Sequence, residues 1–288
     1  MAENAKNLTW LDGIDPVRMV DDEKVKNQFI DTYSKIHKVS IEDAEVVYNK
    51  ESIYYKQALS GSDKLKSCTK ISLYSTWLEI AIIGTSIQPG SKSLAYLESR
   101  STQRPDKSWI STCRLVLSAY GELEARIKSG QILVMLNPIV VYDGDHFQPR
   151  TNDRGEVYVD YAALIPRKKD AKIIGSWVRM IVPGNVSDFK WLTVDDIERL
   201  KKCSVPKTGD VRNPNALYSS VNGGIDPGFL EAKTIKHAMR SKGKLKVSAT
   251  VALEGDDDEE ETTNTPSFAA PAPEANTVQI VTNPDEAF

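Results

Sequence analysis

The sequence predicts an α+β fold: N-terminal helices, a central twisted antiparallel sheet with one embedded helix, C-terminal helices and a disordered acidic tail. Three observations predict it. Apolar residues recur every three or four positions between Asp21 and Ile83. Between Ser93 and Val182 the pattern shortens to that of strands, interrupted by a single helical stretch. After Leu253 the chain becomes charged, Pro-rich and of low complexity, a composition that cannot bury enough apolar surface to offset the entropy of ordering.

Residues 1–20 have weak periodicity and are expected to form a flexible N-terminus. Val25, Phe29, Tyr33 and Ile36 place an amphipathic helix over Asp21–His37. Ser40 followed by Asp43 has the form of a capping box and opens a second helix to about Tyr55. A third, from about Thr69 to Ile83, carries Leu73, Trp77, Leu78 and Ala81 on one side, with Gly84 as its stop. Ser93–Leu97 and Trp109–Leu117 read as strands joined by the basic SRSTQRPDK. Ala119–Lys128 reads as the embedded helix, ended by Gly130, and Gln131–Tyr142 as strand with Pro138 marking an edge or bulge. DGDHFQPRTNDRGE reads as loop, and Val157–Ile165 with Lys172–Val182 as a hairpin around RKKDAK. Thr193 and Asp196 cap a helix to about Lys202. Residues 204–227 form a long loop, and Pro227–Ser241 is the last helix.

No apolar stretch approaches the roughly 20 residues that span a bilayer, and MAENAKNLTW lacks a signal-peptide pattern, so the cytoplasm is the expected location. Cys68, Cys113 and Cys203 form no CxxC pair and His37, His146 and His237 no HExxH, so neither disulfides nor a zinc site is expected. The formal net charge of −3 averages two unlike parts. From Gly255 onward there are nine acidic residues and no basic one. The 37 basic residues therefore face 31 acidic ones in residues 1–254, a charge of +6. A basic body with an acidic tail points to a polyanionic partner and a detachable competitor for it, the alternatives being a tail that recruits another protein or a solubilising tail on an indifferent domain.

Two stretches carry this reading. In PGFLEAKTIKHAMRSKGK, Lys233, Lys236 and Arg240 fall within about 60° of one another on a helix, beside a separate stripe of Ala232, Ile235 and Met239. Between Lys92 and Lys128, Arg100, Arg104, Lys107, Arg114, Arg126 and Lys128 lie among Tyr96, Trp109 and Tyr120, with only four acids. Cations along a backbone with aromatic faces for bases suit sequence-tolerant single-strand binding. Catalytic patterns are weaker. GSKS lacks the glycine offset of a phosphate loop, and YDGDH has turn composition. Asp210 with Glu231-Ala-Lys233 imitates a Mg²⁺ nuclease, but on a helical pattern.

Taken in order, IIGTSIQPGSKSLAYLESRS, RLVLSAYGELEARIKSGQILVMLNPIVVYDGDHF, WLTVDDIERLKKCS and FLEAKTIKHAMRS resemble segments of the RecT family of phage single-strand annealing proteins. The likeness spans about residues 40–247. It implies a DNA-binding and annealing domain over 21–254 that needs no ATP or other cofactor and no catalytic residue, and that assembles into rings or helical filaments. It also implies work beside a 5′→3′ exonuclease and the host single-stranded-DNA-binding protein. On this resemblance the contacts to single-stranded DNA and annealed duplex would come from Tyr120, Gly121, Arg126 and Lys128 in the central motif and Lys233, Lys236 and Arg240 in the last helix, with Arg100, Arg104 and Arg114 added from the basic stretch. One departure is AYG, where the family carries a cation after the tyrosine; RKKDAKIIG and the 204–227 loop are others. The rival classes are a Mg²⁺-dependent nuclease and a non-enzymatic structural phage protein.

Overall fold

The helical periodicity after Asp21 is realised as helices wrapped around one tryptophan. The computed structural model describes residues 6–104, 106–204, 215–220, 224–243, 245 and 252–253, so the expected disorder of 255–288 lies outside the described residues. Helix α1 (Glu23–His37) starts at Asp22, whose carboxylate accepts from the amides of Lys24 and Val25 at 2.9 and 3.3 Å. Helix α2 (Ile41–Ser60) starts at Ser40, which accepts from Asp43 N at 3.0 Å. It outlasts its expected end because Leu59 extends the buried stripe of Ala44, Tyr48 and Tyr55. After the short α3 (Asp63–Lys66), α4 (Lys70–Ile83) brings in Trp77. That ring is fully buried, with Phe29, Tyr55 and Tyr48 centroids at 4.5, 5.3 and 6.0 Å. Gly84 ends α4 at φ 66°, and a Cβ there would stand 2.6 Å from the His37 ring.

The expectation of a flexible N-terminus fails over residues 10–20. Leu11, Met19 and Val20 are buried in this core, and Trp10, Ile14 and Val17 pack against it. Tyr48 Oη donates to Val20 O and Tyr55 Oη to Pro16 O. Two 3₁₀ turns, Lys6–Gly13 and Met19–Asp21, hold the segment. Such short turns repeat every three residues, so their apolar positions match neither the helix nor the strand period.

Strands β1 (Ala95–Gln103) and β2 (Trp109–Leu117) pair antiparallel from Ala95↔Leu117 to Gln103↔Trp109. SRSTQ, expected in the connection, is therefore strand. Cys113, Leu115 and Leu117 alternate inward onto the helical core, and β9 (Ala252–Leu253) runs parallel to the end of β2. The embedded helix α5 occupies Ala119–Lys128, as expected. Beyond it, β3 (Val134–Met135) and β4 (Ile139–Tyr142) share one edge of β7 (Ile173–Val182), while β8 (Val186–Thr193) covers the other. Pro138 lies between β3 and β4, where a missing amide costs no ladder bond.

Two expectations are corrected here. DGDHFQPRTNDRGE contains β5 (His146–Thr151), and β6 (Val157–Ala162) pairs with β5, not with β7. The tight turn at Asn152–Gly155 closes that hairpin locally, and β7 finds a better partner in the immediately following β8. Among the described residues the strands thus form three sheets rather than one, in an α+β architecture. Helix α6 (Val194–Cys203) begins in the expected capping box, with both Thr193 and Asp196 bonds made. Helix α7 (Pro227–Met239) lays Ile235, Ala238 and Met239 on Ala119, Ile132, Val178 and Met180. Among the described residues all three cysteines are free, and no helix is long and apolar enough to cross a membrane.

Candidate nucleic-acid interface

Helix α5 carries Tyr120, Gly121, Arg126 and Lys128, four of the expected DNA contacts. Ser118 caps it: its Oγ accepts from Gly121 N at 3.2 Å and donates to Ser93 O at 2.6 Å, while its amide donates to Leu94 O at 2.9 Å. The first turn is thereby pressed against the chain entering β1. A Cβ at Gly121 would stand 1.9 Å from Leu94 O, so AYG carries glycine for close approach rather than for DNA. Tyr120 is half-buried beneath Lys92, whose Nζ lies 5.6 Å from the ring centroid. Burial, with Glu231 nearby, raises its phenol above the ordinary value.

Arg126 does not face a phosphate track. Its side chain is 4% exposed and donates from Nε and Nη2 to Glu122 Oε1 at 2.8 and 2.6 Å. Its Nη1 reaches Gln131 Oε1 at 2.7 Å and Gly243 O at 2.9 Å. Lys236, 16% exposed, closes the cluster on Glu122 Oε2 at 3.0 Å. One buried carboxylate serves two cations from α5 and α7, so Arg126 and Lys236, both expected DNA contacts, are placed here as a joint between the two helices. A helical wheel places a side chain on a face but cannot see that the opposing helix supplies its counter-ion.

The remaining candidate contacts lie on separate elements. Arg114, across from Glu98 in the β1–β2 register, pairs with it at 2.6 Å. Lys128 bonds Glu124 at 2.6 Å and Gly84 O at 2.8 Å. Lys233 lies over the Phe229 ring at 5.0 Å, and Arg240 is exposed just past α7. Arg100 and Arg104 belong instead to the outer half of the β1–β2 hairpin, where every described residue from Arg100 to Trp109 is exposed. Trp109 opens β2 with 68% of its surface in water, directly across from Gln103. Near the tip Arg104 N donates to Ser108 O at 2.8 Å, and Asp106 accepts from Ser108 N and Oγ at 2.9 and 2.6 Å. Those two bonds hold the Asp106 carboxyl below its usual range. The outer hairpin thus displays Arg100, Arg104, Lys107 and an indole. Lys107 and Trp109 stand in the basic stretch of the sequence, but the extent of their exposure follows only from where β1 leaves the core.

YDGDH is a turn. Asp145, with a side chain 1% exposed, accepts from Tyr142 N at 3.0 Å, Leu164 N at 2.9 Å and Tyr161 Oη at 3.1 Å, with Arg167 at 3.6 Å. Burial pushes its carboxyl up, but those donors and the guanidinium outweigh it and hold it below the usual range. Because the folded value is the lower one, Asp145 contributes stability above the unfolded value of about 4 and loses it as pH falls through the folded value. An Asp145→Asn chain is expected to lose less stability than the parent between about pH 5 and pH 2, measured by urea midpoints; equal losses would show that Asp145 is not an acid-sensitive tie. Glu231 lies on helix α7, and its imagined metal partner Asp210 lies outside the described residues. Among the described residues no group of three His, Cys, Asp or Glu side chains could hold a metal ion.

Compared with protein-family models and with curated proteins, the chain matches none.

Proposed function

We propose that this protein binds unpaired DNA on the outer β1–β2 hairpin and, as an oligomer, anneals complementary strands without nucleotide hydrolysis. The observation that carries this reading is Trp109, left 68% exposed on the same outer hairpin as Arg104 and Lys107. An indole in water forgoes the burial that large aromatics usually gain, and a stacked base would restore it while the cations meet phosphates. Screening one backbone lets a second strand approach, and pairing is downhill by on the order of 1.4 kcal/mol per stacking step. The resemblance to annealing proteins points the same way, with the contact surface moved from α5 and α7 to the hairpin.

The test is to mix complementary labelled oligonucleotides with the protein, without ATP, with and without Mg²⁺. Faster duplex formation supports annealing, shortened product indicates a nuclease, and the absence of both favours a structural protein. Trp109→Ala is expected to weaken single-strand binding by about 1–3 kcal/mol, read by fluorescence anisotropy. Arg104→Ala with Lys107→Ala should flatten the slope of log K against log salt by about 1.4, or 0.7 for each phosphate left without its cation. An unchanged slope removes the hairpin from the interface.

A further inference from the structure

A cleft of about 700 Å³ opens between the segment before β7 and the starts of α6 and α7, within the size range of small-molecule sites. Its floor is apolar: Ile173, Ile197, Ile225 and Tyr218 belong to a cluster completed by Val140, Leu192 and Leu230. Its rim is basic, with Arg167, Lys168, Lys169 and Lys172 facing only Asp170 and Glu198 among the lining residues. The rim is held in place. Arg167 is stacked over Tyr142, its guanidinium carbon 3.9 Å from the ring centroid, and is drawn to the buried Asp145. Lys172 O accepts from Asp143 N at 2.8 Å, and Ala171 N donates to Lys168 O at 3.2 Å. Val194 and Pro227, the first residues of α6 and α7, also line the cleft, with Asp196 and Asp226 capping those helix starts.

From this juxtaposition of an apolar floor with a cationic rim, we propose that the cleft is a binding site for a nucleoside 5′-phosphate, free or at the 5′ end of a strand. The floor takes the flat base, the Arg167–Tyr142 stack offers it a planar wall, and the lysines take the phosphate. An acidic peptide matches the rim but leaves the apolar floor unfilled. The site is separate from the hairpin, and its occupancy does not depend on strand annealing.

The test is calorimetric titration of the full chain with deoxyadenosine 5′-monophosphate, deoxyadenosine and inorganic phosphate. The nucleotide should saturate, with the nucleoside and phosphate each binding about tenfold or more weakly, and Lys168→Ala and Lys169→Ala each costing about tenfold, the loss expected of one charge-assisted hydrogen bond. Ile225→Trp, which fills the floor, should abolish binding; if that chain does not fold, Ile173→Phe is the second probe. Competition by a 5′-phosphorylated oligonucleotide but not its 5′-hydroxyl form identifies a strand end, whereas competition by neither identifies a free nucleotide. No saturable heat, or binding indifferent to the lysine changes, overturns the site. Saturation by a peptide of residues 254–264 in place of the nucleotide overturns it too, and makes the cleft a seat for the acidic tail. Trp109→Ala should leave nucleotide binding intact, so failure of the hairpin and failure of the cleft are read separately.

Discussion

Glu122→Gln is expected to lower the unfolding free energy by about 3–5 kcal/mol, the cost of removing one partner from a buried ionic group. The carboxylate is 3% exposed and is the shared anion of Arg126 and Lys236. Glutamine keeps the shape but leaves two cations with little water and one neutral amide between them. The loss should appear as a lower urea midpoint by circular dichroism with an unchanged slope. Adding Lys236→Met should recover part of it, because the second uncompensated charge is then gone. The same chains separate a joint between helices from a DNA contact. Under conditions where the Glu122→Gln chain is folded, its single-strand affinity should equal that of the parent. A cost below about 1 kcal/mol, the worth of an exposed pair, would show that the cluster is not buried in solution.

Gly121→Ala is expected to destabilise by about 3 kcal/mol or more, the upper end of the range for overpacking. The added Cβ would stand 1.9 Å from Leu94 O and 2.8 Å from its carbonyl carbon, both backbone atoms that cannot rotate aside. Relief requires moving α5 away from Leu94. That movement breaks the Ser118 N to Leu94 O and Ser118 Oγ to Ser93 O bonds, at 2.9 and 2.6 Å. The substitution exchanges glycine for a better helix former by about 1 kcal/mol, so propensity alone predicts the opposite sign. Gly90→Ala is the control, since nothing lies within 4 Å of its would-be Cβ; it should change the midpoint little. If both substitutions behave alike, the close approach is not present in solution.

These two residues also mark where sequence reasoning stops. AYG in the sequence registers as a missing cation; the reason for its glycine is a backbone from 27 residues earlier, Leu94. Arg126 registers as one more positive charge in a basic stretch, yet its neighbours include Glu122 one turn away and Gly243 more than a hundred residues on. Lys236 fits a cationic helix face by angle, and that angle points it at Glu122. The cleft has a more readable signature. RKKDAK is a dense basic run between two β-rich segments, but reading it as a hairpin turn assigns its charges to solvent.

The sequence by itself determined the α+β class, the spans of α1 and α5, the stops at Gly84 and Gly130 and the caps at Ser40 and Thr193. Each of these depends on a handful of neighbouring residues, whose periods and cap chemistry are local. Tertiary structure alone decided that residues 10–20 are core, that β6 pairs with β5, that β8 completes the sheet around β7, and which cations are left for a ligand. Those outcomes turn on which distant group arrives within a few ångströms, because an ion pair or a strand pairing has no energy until both partners meet.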